Sequence, residues 1–169
     1  MNTFFSKMRG GAECPPRPGF RHIAISWLGG CLAIGTAAYL ATVSHAPLVL
    51  GSFGATCVLV FGFPESPFLQ PRNVIAGHFL SSLVGLVFFT LLGARWWSIA
   101  LATGAAIAIM QLTRTVHPPA GSNPVIVMLT VPTWEFLLTP TLLGSLILVM
   151  VAVLFNNIPK ERAYPKYWV

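Results

Sequence analysis

Two short polar stretches interrupt an otherwise apolar sequence, and they contain the residues that could bind a ligand or transfer a proton. The first stretch carries His45-Ala-Pro47 and then Gly51-Ser-Phe-Gly54, and the second carries His117-Pro-Pro119 and then Gly121-Ser-Asn123. Proline and glycine break helices, so each Gly-Ser pair is predicted to open a short new helix. The unpaired N–H groups and positive dipole end of such a helix attract anions. The residues predicted to form two anion cradles, through backbone N–H groups and side chains, are Gly51, Ser52, Gly54, Gly121, Ser122 and Asn123.

Arginine and histidine residues near these stretches could attract an anion or move protons. Arg114 precedes His117 by three residues, and we group both with the anion-binding residues. Histidine titrates near neutral pH and could switch an anion path. The residues predicted to serve gating or proton coupling are His45, Arg72, Asn73 and His78. A structural alternative stays open for these side chains: the arginines could anchor the chain at the headgroup level, and the histidines could bond neighbouring helices or the broken backbone.

Catalytic and metal chemistry is not indicated by the remaining residues. Glu65 and Glu135 fall in separate connections and form no carboxylate pair, and Ser122 near His117 lacks an acidic partner to orient the base. The four histidines are scattered, and the three cysteines form no C-x-x-C pair. We therefore expect a protein that is not an enzyme and that uses neither a metal nor a cofactor.

The composition identifies lipid as the main solvent of the chain. Of 169 residues, 55% are hydrophobic and only 8% are charged, too few to cover the surface of a soluble domain. Basic residues cluster before the first apolar run and after the last, so both termini are expected in the cytoplasm, with the chain in a bacterial inner membrane. Aromatic and basic residues do not interleave, so no nucleic-acid partner is expected.

Four apolar segments are long enough to cross a hydrocarbon core of about 30 Å. They cover residues 23–43, 73–93, 96–113 and 136–155, while two shorter apolar runs cover 48–63 and 124–131. We predict an all-α membrane protein, a polytopic helical bundle with four full-length spans plus two short interrupted or re-entrant helices. If the short segments cross there are six passes, which the charge bias favours; if they re-enter there are four, which the brevity of 124–131 favours.

The two halves share one order of features, which predicts an internal repeat. Each half has a long helix, H-x-P, G-S, a short apolar segment and a second long helix. The repeat halves are 22–93 and 94–156 within a transmembrane region of 22–156, between tails of 1–21 and 157–169.

So short a chain supplies few helices around a pathway, and a homo-oligomer, a dimer or larger, is expected. Small residues at four-residue spacing predict tight helix packing: Ala33, Ala37 and Ala41; Gly77, Ser81 and Gly85; Ala100, Gly104 and Ala108.

Three longer motifs resemble those of the HPP family of integral membrane proteins, which is named for a His-Pro-Pro tripeptide. The motifs are RTVHPPAGSNP at 114–124, GSFGA at 51–55 and SPFLQPRNVIAGH at 66–78. The resemblance covers about residues 20–155. It implies four or more transmembrane helices and the transport of a small inorganic anion, with nitrite as the best guess. The alternative is a structural or assembly protein of the membrane that transports nothing.

Overall fold

The structure, a computed structural model, describes residues 4–169, and every regular element in that part of the chain is helical. The first three residues of the predicted 1–21 tail lie outside the described residues. After a single turn at Phe4–Lys7, the α-helices are α1 (Phe20–Ser44), α2 (Gly51–Gly62), α3 (Pro71–Leu92), α4 (Trp96–Leu112), α5 (Asn123–Thr130) and α6 (Leu143–Asn156). The 3-10 turns are Pro67–Leu69, Pro118–Ser122 and Trp134–Leu137, and a π turn, Leu138–Leu142, leads into α6.

Three helical segments are long and apolar enough to cross a membrane. They are Phe20–Ser44, Pro71–Leu92 and Trp134–Asn156, the last comprising the two turns before α6 together with α6. The fourth predicted span, α4, is apolar but has only 17 residues, which corresponds to about 25 Å of helix. The membrane-protein class and three of the four predicted long spans are therefore confirmed, and α4 falls short of full length.

The start of α1 and the segment that follows α6 lie at one end of the bundle, which we call the tail face. Arg21, at the start of α1, forms a salt bridge of 2.8 Å with Glu161, which follows α6. The Tyr164 hydroxyl donates to the carbonyl oxygen of Leu69, just before α3, over 2.8 Å. We call the opposite end of the bundle the far face.

The first short segment runs from the far face to the tail face. Gly144, near the start of α6, packs against Phe53 in the first turn of α2. At the other end of α2, the Ser26 hydroxyl of α1 donates to the carbonyl oxygen of Phe61 over 2.9 Å, and Asn156 donates to that of Val60 over 3.2 Å. The segment therefore traverses the bundle and does not turn back.

The second short segment also traverses the bundle, but as a composite of extended chain, 3-10 turn and short helix. It climbs beside α3 from the tail face. Asn73 Nδ2 donates to the carbonyl oxygen of Val116 over 3.0 Å, and three turns later Gly85 packs against Val127. This course corresponds to the six-pass alternative, because extended backbone covers the distance that the eight residues of α5 cannot.

Two glycines allow the short segments to approach the long helices. A Cβ on Gly77 of α3 would lie 2.7 Å from His117 Cβ and 3.0 Å from the carbonyl oxygen of Thr115. A Cβ on Gly144 would overlap the Phe53 ring and lie 2.5 Å from the carbonyl oxygen of Leu48. Each glycine thus packs against the irregular backbone or first turn of the short segment in the other half.

The three small-residue stripes do not all pack inside the bundle. Ala33 and Ala37 of α1, and Gly77, Ser81 and Gly85 of α3, are buried as expected for close helix packing. The stripe on α4 is exposed on the outside of the chain, and the helix buries its opposite face instead. The exposed stripe consists of Ala100, Gly104 and Ala108.

Candidate functional site

Two buried histidines and a threonine from three different segments meet inside the bundle. His78 of α3 and His117 of the second short segment are fully buried, and Thr56 of α2 lies between them. Thr56 Oγ1 is 2.9 Å from Nε2 of His78 and 2.9 Å from Nε2 of His117. The two imidazole rings have an edge-to-face arrangement with centroids 4.9 Å apart. The irregular backbone at His117-Pro118-Pro119 thus places His117 beside Thr56 and His78.

Asn123, the first residue of α5, continues this cluster away from the tail face. Its Nδ2 lies 3.1 Å from Nδ1 of His78 and 3.2 Å from the His78 carbonyl oxygen, and it donates to Ser82 Oγ over 2.9 Å. The Thr141 hydroxyl donates to the same Ser82 oxygen over 3.2 Å. We call the connected side chains the polar column: His117, Thr56, His78, Asn123, Ser82 and Thr141.

The tail-face end of the polar column is a backbone carbonyl. His117 Nδ1 lies 3.0 Å from the carbonyl oxygen of Phe68, in the 3-10 turn that precedes α3. A carbonyl oxygen can only accept a hydrogen bond, so the Nδ1 of His117 carries a hydrogen. For a neutral ring, Nε2 of His117 is then an acceptor.

The rest of the hydrogen bonding follows from that tautomer. The single hydrogen of the Thr56 hydroxyl has two acceptors in reach, Nε2 of His117 at 2.9 Å and the Ser52 carbonyl oxygen at 3.2 Å, and we assign it to the nearer one. With that assignment, the Thr56 oxygen accepts from an N–H at Nε2 of His78. Nδ1 of a neutral His78 is then free to accept from the Asn123 amide, as its position requires. Both rings are thus satisfied in their neutral forms, and the bonds point in one direction.

Two buried polar atoms beside this cluster have no hydrogen-bond partner among the described residues. They are the Ser52 hydroxyl and the Asn123 Oδ1. Ser52 lies one helical turn before Thr56, whose hydroxyl is 3.2 Å from the Ser52 carbonyl oxygen. A buried polar atom without a partner costs free energy in apolar surroundings. These atoms therefore have unused hydrogen-bonding capacity that a polar ligand could satisfy.

A cavity of about 470 Å³ opens at the far face, where α2 begins. Its lining includes Gly51, the first residue of α2, and Pro140, the residue before Thr141 of the polar column. The polar side chains of the lining are Thr130, Thr133, Glu135 and Thr139. The cavity thus lies next to both the start of α2 and the far-face end of the polar column.

The C-terminal segment covers the loop at the other end of the column. Tyr167 donates to the carbonyl oxygen of Pro67 over 2.6 Å, and the Lys166 backbone N–H donates to Gln70 Oε1 over 2.6 Å. Tyr164 is buried against Leu69, and burial raises the pKa of its phenol above the ordinary value. The loop that carries the Phe68 carbonyl is therefore held by the chain that follows α6.

Some of the predicted site residues lie close together in the structure. They do not form the two expected anion cradles at helix N-termini. Ser52, His78, His117 and Asn123 lie in or beside the polar column, and Gly51 lines the far-face cavity. Neither serine of the two Gly-Ser pairs caps its helix through its side chain. The N-cap of α2 is Leu50, so Ser52 already lies within the helix.

Other predicted residues lie apart from this cluster. Gly54 is exposed and Gly121 half-buried, and a Cβ at either would meet open space. Ser122 is exposed, and its hydroxyl donates to the carbonyl oxygen of Pro119 over 2.8 Å. His45 is exposed and ends α1 in the left-handed backbone region, with a φ of 55°. The second Gly-Ser pair therefore contributes Asn123 to the buried cluster, and not its own serine.

The two arginines and Asn73 lie at the tail face. Arg72 is half-buried and donates to the carbonyl oxygen of Thr113 over 3.3 Å, while Arg114 is exposed with a φ of 56°. Asn73 is buried and donates to the carbonyl oxygen of Val116, beside His117. These residues tie α3 to the end of α4, and the two guanidinium groups supply positive charge at that face.

The sequence reasoning missed the three hydroxyl residues of the polar column, Thr56, Ser82 and Thr141. The sequence spacing of two of them, Thr56 and Ser82, indicated a shared helix face with another polar residue. Thr56 follows Ser52 by four residues and Ser82 follows His78 by four, and residues four apart share one face of a helix. Polar residues on one face of an apolar helix predict a polar contact inside the bundle. Thr141 lies in the π turn before α6, for which no such spacing exists.

No metal site is formed within the described part of the chain. Groups of three or more His, Cys, Asp or Glu side chains that could hold an ion do not occur in residues 4–169. The imidazole, hydroxyl and amide groups of the cluster can form hydrogen bonds, and the imidazoles and hydroxyls can also pass protons.

Comparisons with known proteins place the chain among membrane proteins. The sequence matches the family described as "HPP, transmembrane region" over residues 15–165. Two curated proteins of Dictyostelium discoideum, each named only as a transmembrane protein, are 36% and 37% identical to it and cover 98% and 91% of the chain. The chain spans 57% and 58% of the lengths of these relatives. No solved structure matches the sequence.

Proposed function

The chain belongs to the HPP family of transmembrane proteins, and on that basis we propose that it is a transporter or channel for a small inorganic anion, with nitrite as the favoured substrate. The observation that carries the proposal is the polar column beside the unpartnered Ser52 hydroxyl, inside a bundle made of apolar helices. Polar side chains at membrane depth are costly and mark solute or ion routes in helical membrane proteins. Broken helices at corresponding places of two halves point to such a site as well.

The geometry supports an approach of the anion from the far face. An anion in the far-face cavity would meet the N-terminal end of α2 at Gly51, where unpaired N–H groups and the helix dipole favour negative charge. Ser52, the next residue along α2, is buried and carries a hydroxyl donor without a partner. Asn123 would supply a second donor through its Nδ2 by giving up a bond to His78 or Ser82. Nitrite is small, planar and accepts hydrogen bonds through its oxygens, so hydroxyl and amide donors suit it.

The arrangement in the membrane is proposed from charge and packing. We place the tail face in the cytoplasm of a bacterial inner membrane, because basic residues collect there. The opposite course of the two traversing segments, and the related contacts of Gly77 and Gly144, support two inverted repeats. The exposed small-residue stripe on α4 supports a homo-oligomer within the bilayer.

The experiment is anion flux into liposomes that contain the purified full chain. Nitrite uptake is expected to exceed that of protein-free liposomes. Ser52→Ala is expected to slow uptake roughly tenfold, the effect of one lost hydrogen bond to a charged group. The matched control is Ser98→Ala, because Ser98 is an equally buried serine on α4 whose hydroxyl also lacks a partner. Flux no greater than in protein-free liposomes for nitrite, nitrate, formate and chloride would instead favour the structural or assembly protein.

A further inference from the structure

We propose that His78, Thr56 and His117 form a proton relay that makes the proton the coupling ion of anion transport. The proposal rests on the proposed function and adds the coupling ion to it. The three side chains form a continuous hydrogen-bonded chain, with Thr56 Oγ1 at 2.9 Å from Nε2 of each ring. Each of the three is at most 1% exposed, so solvent does not interrupt the chain. Buried histidine chains of this kind serve as proton relays in membrane proteins.

The direction of the hydrogen bonds defines one balanced transfer. A proton binds to Nδ1 of His78, and the N–H at Nε2 of the same ring passes its proton to Thr56 Oγ1. The hydroxyl passes its own proton to Nε2 of His117. The N–H at Nδ1 of His117 then opens its bond to the Phe68 carbonyl oxygen and passes its proton to water at the tail face. One proton enters and one leaves, and the three groups stay neutral.

Each ring ends the transfer with its hydrogen on the opposite nitrogen. The starting state returns, with the net proton transfer kept, when the two rings rotate. Neither ring is held by a charged partner, since the bonds of His78 and His117 are to hydroxyl, amide and backbone groups. The relay can therefore be reset without breaking an ion pair.

Asn123 closes the entrance of the relay while no anion is bound. Its Nδ2 lies 3.1 Å from Nδ1 of His78, which is the atom that has to receive the proton. An amide does not titrate near neutral pH and does not pass a proton on, whereas imidazole does both. An anion that takes the hydrogens of the Asn123 amide would free Nδ1 of His78. Proton entry then requires a bound anion, and this requirement couples proton movement to anion transport.

The elements around the relay bring few other titratable groups near it. Within residues 4–169, none of these groups is a hydrogen-bond partner of the His78 or His117 ring. The titratable or charged residues on the packed elements are Cys57 on α2, Arg72 on α3, Arg114 before His117, Glu65 in the loop before α3, Glu135 in the 3-10 turn Trp134–Leu137, and Tyr164, Lys166 and Tyr167 in the C-terminal segment. Thr56 and Cys57 of α2 line one small gap together with Tyr164. The hydrogen bonds of the Thr56 hydroxyl are to the two histidines and the Ser52 carbonyl oxygen, and not to the thiol or the phenol. The two histidines are therefore the titratable groups that are hydrogen-bonded to the relay hydroxyl.

The test measures protons moved per nitrite in liposomes containing the full chain. A pH-sensitive dye in the lumen reports proton entry when a nitrite gradient is imposed, and the signal of protein-free liposomes, across which nitrous acid carries protons, is subtracted. The expected result for the native chain is proton entry together with nitrite. Thr56→Val keeps the shape of the side chain but removes the hydroxyl, and proton entry is expected to fall roughly a hundredfold, as when a positioned proton-transfer group is lost.

Thr56→Ser and Thr42→Val provide the controls. Thr56→Ser retains the hydroxyl and is expected to restore proton entry. Thr42 lies exposed on α1, where its hydroxyl donates to the Ala38 carbonyl within the same helix, so Thr42→Val should move protons as the native chain does. A second readout needs no transport: nitrogen NMR of the native chain is expected to show hydrogen on Nδ1 of His117 and on Nε2 of His78.

The outcomes separate the relay from the proposed function. Net nitrite uptake without proton entry would overturn the relay and leave the transporter. Full proton coupling in Thr56→Val, or the opposite tautomers in the NMR spectrum, would overturn the relay too. Absence of nitrite exchange and of net flux would overturn the proposed function and the relay with it.

Discussion

The rings of His78 and His117 lie 4.9 Å apart at their centroids although 39 residues separate them, and the hydroxyl of a third residue bonds both. His78 comes from a regular helix and His117 from the broken segment that climbs beside it. The pairing exists because Gly77, the neighbour of His78, has no side chain to hold the broken segment away. This relationship gives the predictions that follow.

Replacing Gly77 with alanine should disrupt the pairing. The added Cβ would lie 2.7 Å from His117 Cβ and 3.0 Å from a backbone oxygen, so the broken segment has to move. Overpacking of this kind costs roughly 1–3 kcal/mol. A lower midpoint of thermal unfolding in detergent is expected. Gly35→Ala on α1 is the control, because a Cβ there meets open space; equal midpoints for the two variants would contradict the packing described.

Replacing Asn123 with alanine should destabilise the chain as well. The change leaves Nδ1 of His78 without its donor and removes a bond to Ser82. Leaving a buried polar group unpaired costs about 1–3 kcal/mol. The unfolding midpoint should fall by several degrees, while Gln111→Ala, at an exposed position on α4, should leave it unchanged. A native-like midpoint for Asn123→Ala would mean that the polar column is not formed as described.

Replacing Ser52 with alanine should lower nitrite flux without lowering stability, in contrast to Asn123→Ala. Its hydroxyl has no partner to lose, so the unfolding midpoint is expected to stay constant or to rise slightly. Nitrite flux is expected to fall. Ser98→Ala should leave the midpoint equally constant and should not change flux. A marked loss of stability in Ser52→Ala would show that the hydroxyl bonds within the protein, and its loss of flux would then have a structural cause.

The tail face should lose stability in strong alkali. The folded-state pKa of Tyr164 is raised by burial, so the buried neutral phenol contributes its full stability below the unfolded pKa of about 10. That contribution is lost as pH rises from there through the folded pKa. The unfolding midpoint of the native chain should therefore fall more steeply above about pH 10 than that of Tyr164→Phe. Parallel pH curves for the two proteins would contradict this.

The sequence predicted the membrane class, the breaks and several buried residues, because these depend on local properties. Apolar length sets the spans, and proline and glycine end a helix wherever they stand. His78 and Asn123 were recognised because polar groups within apolar segments need a partner. These predictions required no knowledge of which helices are neighbours.

The partners themselves depend on tertiary packing and were not predictable from the motifs. Ser122 and Asn123 are adjacent in the sequence, yet one is exposed and the other is fully buried against α3. The course of 124–131 was left open between crossing and re-entry, because the charge bias favoured crossing and the brevity of the segment favoured re-entry. Extended backbone before α5 covers more distance per residue than a helix does, which the motifs did not indicate. The contribution of Thr56 could be recognised only once α2, α3 and the broken segment were placed together.

The most direct measurement of the central claim is the accessibility of position 52 to a charged thiol reagent. The variant is Ser52→Cys in a chain whose Cys14, Cys31 and Cys57 are replaced by alanine, with Val58→Cys as a control that is exposed on the outer side of the same helix. The account predicts that Ser52→Cys reacts with reagent added at the far face, that Val58→Cys in lipid does not, and that nitrite slows the reaction. Failure of Ser52→Cys to react, or a rate that nitrite leaves unchanged, would contradict an anion route beside the polar column.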